Sequence, residues 1–155
     1  MAIRRAKVAD IPALEKLLED ILLVHHRVRP DLFKETGKKF TRQELEELVL
    51  EESKPIFVYE DERGNILGHL FTVIEKHEGN TDQPRKTLFI DDLCVAEEAR
   101  GQQIGQKLFN FARAYAKELG CYNLTLHVWN ANEGALRFYK RQGLQEQFTS
   151  MEEIL

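Results

Sequence analysis

The stretch Leu88-Phe-Ile-Asp-Asp-Leu-Cys-Val95, followed by Arg100-Gly-Gln-Gln-Ile-Gly-Gln-Lys-Leu108, decides how this chain is read. An apolar, β-branched segment passes through a short acidic loop into a glycine-flanked turn, and the turn opens an amphipathic helix. Such a turn presents free backbone N–H groups at the positive end of a helix dipole. It attracts a phosphate or pyrophosphate without needing a basic side chain. A phosphorylated ligand is the first expectation.

Downstream of the turn, Ile104, Leu108, Phe111, Tyr115 and Leu119 recur at helical spacing, and Gly120 stops the helix. Leu124-Thr-Leu-His-Val128 is the next strand, and the helical crossover makes it parallel to the strand that ends at Val95. Asn132 begins a further helix carrying Ala135, Leu136, Phe138 and Tyr139, which ends at Gly143. The remaining Leu144 to Leu155 reads as short and strand-like, and its free edge predicts a homodimer. Upstream, Ile56-Phe-Val-Tyr59 and Ile66 to about Glu75 form an antiparallel hairpin around the turn Asp61 to Asn65. A polar loop, His77 to Pro84, leads into the strand Lys86 to Val95. At the start, Ala2 to Lys7 is a strand. Asp10 then caps a helix through Ile11, Leu14, Leu18, Ile21, Leu22 and His25, with Pro12 in its first turn and its end around Arg29-Pro30. Thr41-Arg-Gln-Glu44 is a capping box that opens a second helix through Leu45, Leu48 and Val49 to about Ser53.

The totals bound the function. The 155 residues, 43% of them hydrophobic, suit a single domain over 1–155 with a real core. With 22 Lys+Arg against 26 Asp+Glu the formal charge is −4, which provides no electrostatic footprint for nucleic acid or an anionic membrane. Small molecules or specific protein sites are the expected partners. Cys94 and Cys121 lack a metal-ligand spacing and lie in apolar, strand-like contexts, so buried free thiols and no metal are expected. The apolar run Ile21-Leu-Leu-Val24 is too short for a membrane span, and the charged N-terminus predicts no signal peptide. A soluble, cytoplasmic protein is the expectation.

Two signatures now stand together: Arg100-Gly101-Gln102-Gln103-Ile104-Gly105, and Asn132, Ala135, Tyr139 and Gly143 spaced as N-x-x-A-x-x-x-Y-x-x-x-G. Together they resemble the GNAT N-acyltransferase superfamily, whose loop pattern is Q/R-x-x-G-x-G/A. Gln103 departs from it, occupying the first motif glycine. The resemblance implies an α/β, three-layer fold with a mixed, mostly antiparallel sheet, helices on its flanks, and a splayed parallel pair of strands four and five. It implies acetyl-CoA as the cofactor and transfer of the acetyl group to a primary amine of a small molecule, polyamine-like compound, peptide or protein. Backbone N–H groups from Gly101 to Gln106 would bind the CoA pyrophosphate. Leu93, Cys94 and Val95 would offer main-chain groups to pantetheine, joined by Asn132 and the backbone near Ala135. Lys140 or Arg141 would reach the 3′-phosphate.

Tyr139 matches the family's general acid, a phenol with an ordinary pKa of ~10 that stays protonated at neutral pH. Asp91 matches the acidic residue of related diamine acetyltransferases and is the candidate base, directly or through water. Strand alternation places Asp91 and Asp92 on opposite faces and groups Asp91 with Phe89, Leu93 and Val95. Asp92 is read as a loop cap or the partner of a buried cation. His25, His26, His127 and Trp129 border the expected acceptor pocket. The alternative function is a non-catalytic CoA-binding regulatory or interaction module, for which Gln103 is the sequence support.

Overall fold

The computed structural model describes residues 2–155. Its sheet has five strands in sequence order: β1 (Ala2–Arg5), β2 (Ile56–Glu60), β3 (Ile66–His77), β4 (Arg85–Val95) and β5 (Asn123–Leu126). The first three pairings are antiparallel and β4 with β5 is parallel. The helices are α1 (Ile11–Val28), α2 (Arg42–Leu48), α3 (Ile104–Glu118) and α4 (Glu133–Arg141), with short 3-10 turns at Val8–Asp10 and Glu97–Ala99. The mixed sheet with a parallel β4–β5 pair is the expected architecture. No helix among the described residues is long and apolar enough to cross a membrane.

Period two along the strands builds the layers. Ile56, Val58 and Phe71 turn to one face and are buried with Ile11, Leu14 and Leu18 of α1 and Leu45 of α2. Phe57, Tyr59 and Leu70 turn to the other and are buried with Ile104, Leu108, Phe109 and Ala112 of α3. Along α3 the buried line is Ile104, Leu108, Phe109, Ala112 and Ala116, whereas Phe111 and Tyr115 stand beside it, packed edge-on against Phe57. The small alanines let α3 lie close to the sheet. Gly68 completes that approach: a Cβ there would come within 3.0 Å of both the Cys94 carbonyl oxygen and Leu108 Cδ1.

Several sequence expectations need correction. The first strand stops at Arg5 because Asp10 reaches back rather than capping α1. Its carboxylate accepts two hydrogen bonds from the Arg4 guanidinium, at 2.8 and 3.0 Å, and a third from the Lys7 N–H at 2.7 Å. The Thr41–Glu44 capping box is present on both sides, but α2 closes at Leu48 rather than Ser53. β3 runs on to His77, and β5 ends at Leu126 rather than Val128. Residues 144–155 form no strand. This tail is held by side chains: Lys140 to Glu146 at 3.0 Å, Arg29 to Glu152 at 2.7 Å, and Phe148 against His127. Cys94 is buried as expected, while Cys121 is only half-buried.

The close contact at Gly68 gives a direct test of how α3 is seated. Because the backbone of Cys94 cannot retreat, Gly68→Ala should destabilise the protein by about 1–3 kcal/mol, read as a lower urea midpoint at unchanged slope.

Candidate active site

The site begins where β4 and β5 part. Their ladder runs from Thr87–Asn123 to Ile90–Leu126 and stops, while β4 continues to Val95 paired with β3 alone. Ala96 donates its N–H to the Leu67 carbonyl at 2.8 Å, which fixes the phase of the antiparallel ladder. Alternation then turns the main-chain groups of Leu93 and Val95 toward the open side, and those of Cys94 toward β3. Leu93 and Val95 are therefore the residues of the predicted trio whose backbone borders the gap.

At the same point the register slips. Phe71 faces Asp92 but Thr72 faces Ile90, so Asp91 is an extra residue on β4. A bulge of this kind interrupts alternation. Asp91 and Asp92 therefore do not take opposite faces as the sequence pattern implied; both meet groups of the α1–α2 side. The Lys39 ammonium, from the α1–α2 connection, donates to Asp91 Oδ2 at 3.0 Å in an exposed pair. Asp92 turns inward, and its Oδ2 lies 2.6 Å from Nε2 of His69 on β3, whose side chain is completely buried. Burial pushes the Asp92 carboxyl up, but the hydrogen bond and charge of His69, with Lys39 and His25 behind them, bring it below the ordinary carboxylate range. Asp92 thus pairs with a buried side chain rather than capping a loop, and the loop-cap alternative does not hold.

Beyond Val95 the chain turns into α3. Gly101 has φ +85° and Gln103 has φ +61°, the single positive-φ non-glycine among the described residues. No backbone N–H from Gly101 to Gln106 donates to a described residue; Lys107 is the first to find an acceptor, the Gln103 carbonyl, at 3.0 Å. These amides lie at the N-terminus of a 15-residue helix, where the dipole favours an anion. Arg100, Gly101, Gln102 and Gln103 are exposed and Gly105 and Gln106 half-buried, while Ile104 anchors the turn in the core. Gln106 exchanges amide hydrogen bonds with Gln142, and Arg113 donates to the Gln142 carbonyl at 2.6 Å, which ties α3 to the end of α4.

At the start of α4, Asn132 caps the helix: its Oδ1 accepts from the Ala135 N–H at 3.2 Å. About two turns on, Tyr139 packs its ring on Phe109 and Phe138, and its hydroxyl makes no hydrogen bond to a described residue. Burial, and secondarily the charge of Asp92, push the phenol up to about 12. It is a protonated donor throughout the neutral range. Burial likewise raises the Cys94 thiol to about 12, so it has no thiolate to act as a nucleophile.

The predicted acceptor residues divide. His25 and Trp129 are brought together by Phe33, whose ring lies 5.1 Å from His25 and edge-on to Trp129 at 5.8 Å. Burial lowers the His25 pKa, against the pull of Asp92. His26 donates Nδ1–H to the Phe33 carbonyl at 2.8 Å and shapes the connection after α1. His127 sits apart, between Phe89 and Phe148. Lys140 is engaged with Glu146 of the tail. Phe33, Lys39 and His69 were missed in the sequence; only His69, a polar residue inside an apolar alternating strand, carried a signal. An open depression of about 530 Å³ lined by Glu52, Ser53, Ile74, Lys76, Lys86 and Leu119 lies away from all these groups.

Residues 18–144 match the model of the acetyltransferase (GNAT) family. The chain belongs to the GNAT acetyltransferase family. Among solved structures it resembles the tetramutant of the BH1408 protein from Bacillus halodurans, with 31% identity, a TM-score of 0.94 and full coverage of both chains. It shares the fold of glucosamine-6-phosphate N-acetyltransferase from Arabidopsis thaliana, at 24% identity, TM-score 0.72 and coverage of 99% of this chain and 97% of that one. Thialysine N-epsilon-acetyltransferase from Bos taurus is 34% identical over 61 residues, which is 39% of this chain and 36% of that protein. This GNAT chain spans between 25% and 56% of the curated relatives it matches. The family supports acyl transfer as the chemistry and an acetyltransferase as the kind of enzyme.

Within this GNAT fold the strained position is Gln103. A left-handed L-residue costs roughly 1–2 kcal/mol, partly offset by glycine's greater freedom when unfolded. Gln103→Gly should raise stability to urea by a few tenths to about 1 kcal/mol, and Gln103→Val should lower it; equal midpoints for the two would contradict a strained turn.

Proposed function

We propose that this protein transfers an acetyl group from acetyl-CoA to a primary amine. The single observation that carries the reading is the run of unpaired N–H groups from Gly101 to Gln106 at the start of α3, beside a β4 edge that β5 has left. These amides suit a pyrophosphate, and the backbone of Leu93 and Val95 suits the amide-bearing pantetheine arm. Asn132 and the α4 backbone near Ala135 border the same arm. Arg100 and Arg141 are free of ion pairs among the described residues, and with Lys140 they provide cations for the phosphates. The bound thioester supplies an activated acetyl group.

The chain's own residues then divide the proton work. Asp91, directly or through a water, takes the proton of the acceptor amine once Lys39 yields its place. A lysine-like amine needs this help, since at pH 7 its neutral form costs roughly 4–5 kcal/mol. The neutral amine forms the new C–N bond as the C–S bond breaks, Tyr139 hands its proton to the departing thiolate, and the second proton shed by the new amide nitrogen restores the Tyr139 phenol, directly or through water. His25, Phe33 and Trp129 wall the acceptor side, with His26 and His127 at its margins. A cytoplasmic setting suits the free thiols. A homodimer that covers exposed Phe148, Met151 and Ile154 of the tail fits the chain as well.

Calorimetry with acetyl-CoA, followed by thiol release across a panel of primary amines, tests the reading. Binding and turnover are expected; binding without turnover would leave a CoA-binding module, and no binding would remove both. In single-turnover assays Tyr139→Phe should slow acetyl transfer by about 10²-fold or more. Because burial holds the phenol near 12, the wild-type rate should show no loss from Tyr139 ionisation up to about pH 10. An unchanged rate in the variant would take Tyr139 out of the chemistry.

A further inference from the structure

We propose that Arg29 is a positioning residue whose side chain seats the Trp129 ring as an apolar wall of the acceptor site, and that this wall favours primary amines carrying an apolar body. The inference rests on the amine-acetylation reading and adds the class of acceptor. Arg29 closes α1, where its N–H donates to the His25 carbonyl at 2.8 Å. Its own carbonyl accepts from the N–H groups of Leu32 and Phe33 at 3.0 and 3.1 Å. The backbone of this residue therefore holds Phe33, while its side chain reaches a different segment. The guanidinium lies over the Trp129 ring, 5.5 Å from the centroid.

Trp129 depends on that contact. It follows the end of β5 and belongs to no strand or helix; its carbonyl accepts from the Asn132 N–H at 2.9 Å, and its own N–H donates to no described residue. The ring is placed by its neighbours, with Phe33 edge-on at 5.8 Å and Arg29 across one face. Arg29 is held in turn, because its planar fork is used on every side. Nε and one terminal nitrogen donate to the two Asp31 carboxylate oxygens at 2.9 and 2.8 Å, and the other terminal nitrogen forms an ion pair with Glu152 of the tail at 2.7 Å. A lysine cannot hold two carboxylates and a ring face in one geometry. The end of α1, the β5–α4 connection and the tail thus meet at one side chain.

A tryptophan fixed only for the fold would be covered, but Trp129 remains 38% exposed. One ring face is already taken by a cation, and two carboxylates neutralise that cation. What is left for an acceptor is apolar ring surface, continued by Phe33 and then by His25, whose ring lies 5.1 Å from that of Phe33. A wall seated in advance spares the ordering cost when an apolar body packs on it. An amine too short to reach the wall gains nothing from it.

The test combines kinetics with a measurement that needs no turnover. Linear amines from ethylamine to n-hexylamine are compared in the wild type and in Arg29→Met, which keeps an apolar stem but loses the fork. The n-hexylamine KM should rise about threefold to tenfold, with kcat and the acetyl-CoA KM unchanged and the ethylamine KM unmoved. Arg29→Lys, which keeps the charge alone, should not restore the loss. Trp129 is the one tryptophan of the chain, so its fluorescence reads the wall directly. Its anisotropy should fall and its quenching by acrylamide rise in Arg29→Met, with a smaller change of the same sign in Glu152→Gln. In the wild type with CoA present, n-hexylamine should protect Trp129 from acrylamide and ethylamine should not. Equal KM changes for the two amines, full restoration by Arg29→Lys, or a Trp129 signal indifferent to n-hexylamine would overturn the proposal. Should Arg29→Met not fold, Glu152→Gln and the wild-type quenching decide. Failure of every amine to react would count against the proposed function and leave the quenching experiment to judge the wall.

Discussion

The ladder between β4 and β5 ends at Ile90–Leu126, and the extra residue on β4 comes immediately afterwards, at Asp91. Two consequences arise from one place in the strand. The end of the ladder frees the backbone of Leu93 and Val95, and the bulge re-aims the next carboxylate, so that Asp92 enters the interior instead of alternating with its neighbour. A β4 that simply continued its pairing would bury both the main-chain edge and the carboxylate. β5 ends with that ladder at Leu126, and α4, which follows it, carries Tyr139 within electrostatic reach of Asp92.

The seating of α3 depends on the same region. Ile104 is pinned in the core beside Leu108, and Gly68 allows the helix to approach the β4 backbone closely. Once α3 is fixed there, the turn before it must double back in a short distance, and Gly101 and Gln103 take left-handed conformations to do so. The amides from Gly101 to Gln106 around them donate to no described residue. The departure of Gln103 from glycine therefore carries a local conformational cost, and the N–H groups around it still have no acceptor among the described residues.

Much of this was legible in the residues. The order of elements followed from periodicity and punctuation: the capping box at Thr41–Glu44, the glycines after α3 and α4, and the helical crossover that made β4 and β5 parallel. Other features were hidden for definite reasons. A bulge adds one residue without altering composition, so Asp91 and Asp92 looked like an alternating pair. The inner line of α3 uses Phe109 and two alanines, and alanine gives little hydrophobic signal against Phe111 and Tyr115. Residues 144–155 alternate plausibly but have no strand to pair with, so side-chain contacts hold them instead. His69 and Lys39 reach the site through long-range contacts with Asp92 and Asp91, which no local pattern records.

The central claim is that one strand edge and one helix N-terminus together form the acyl-CoA site. Amide hydrogen exchange, followed with and without acetyl-CoA, tests it most directly. Slower exchange is predicted at Leu93 and Val95 and from Gly101 to Gln106, with no change around the distant depression lined by Ile74, Lys76 and Lys86. Unaltered exchange at the α3 N-terminus, or protection confined to that distant depression, would contradict the account.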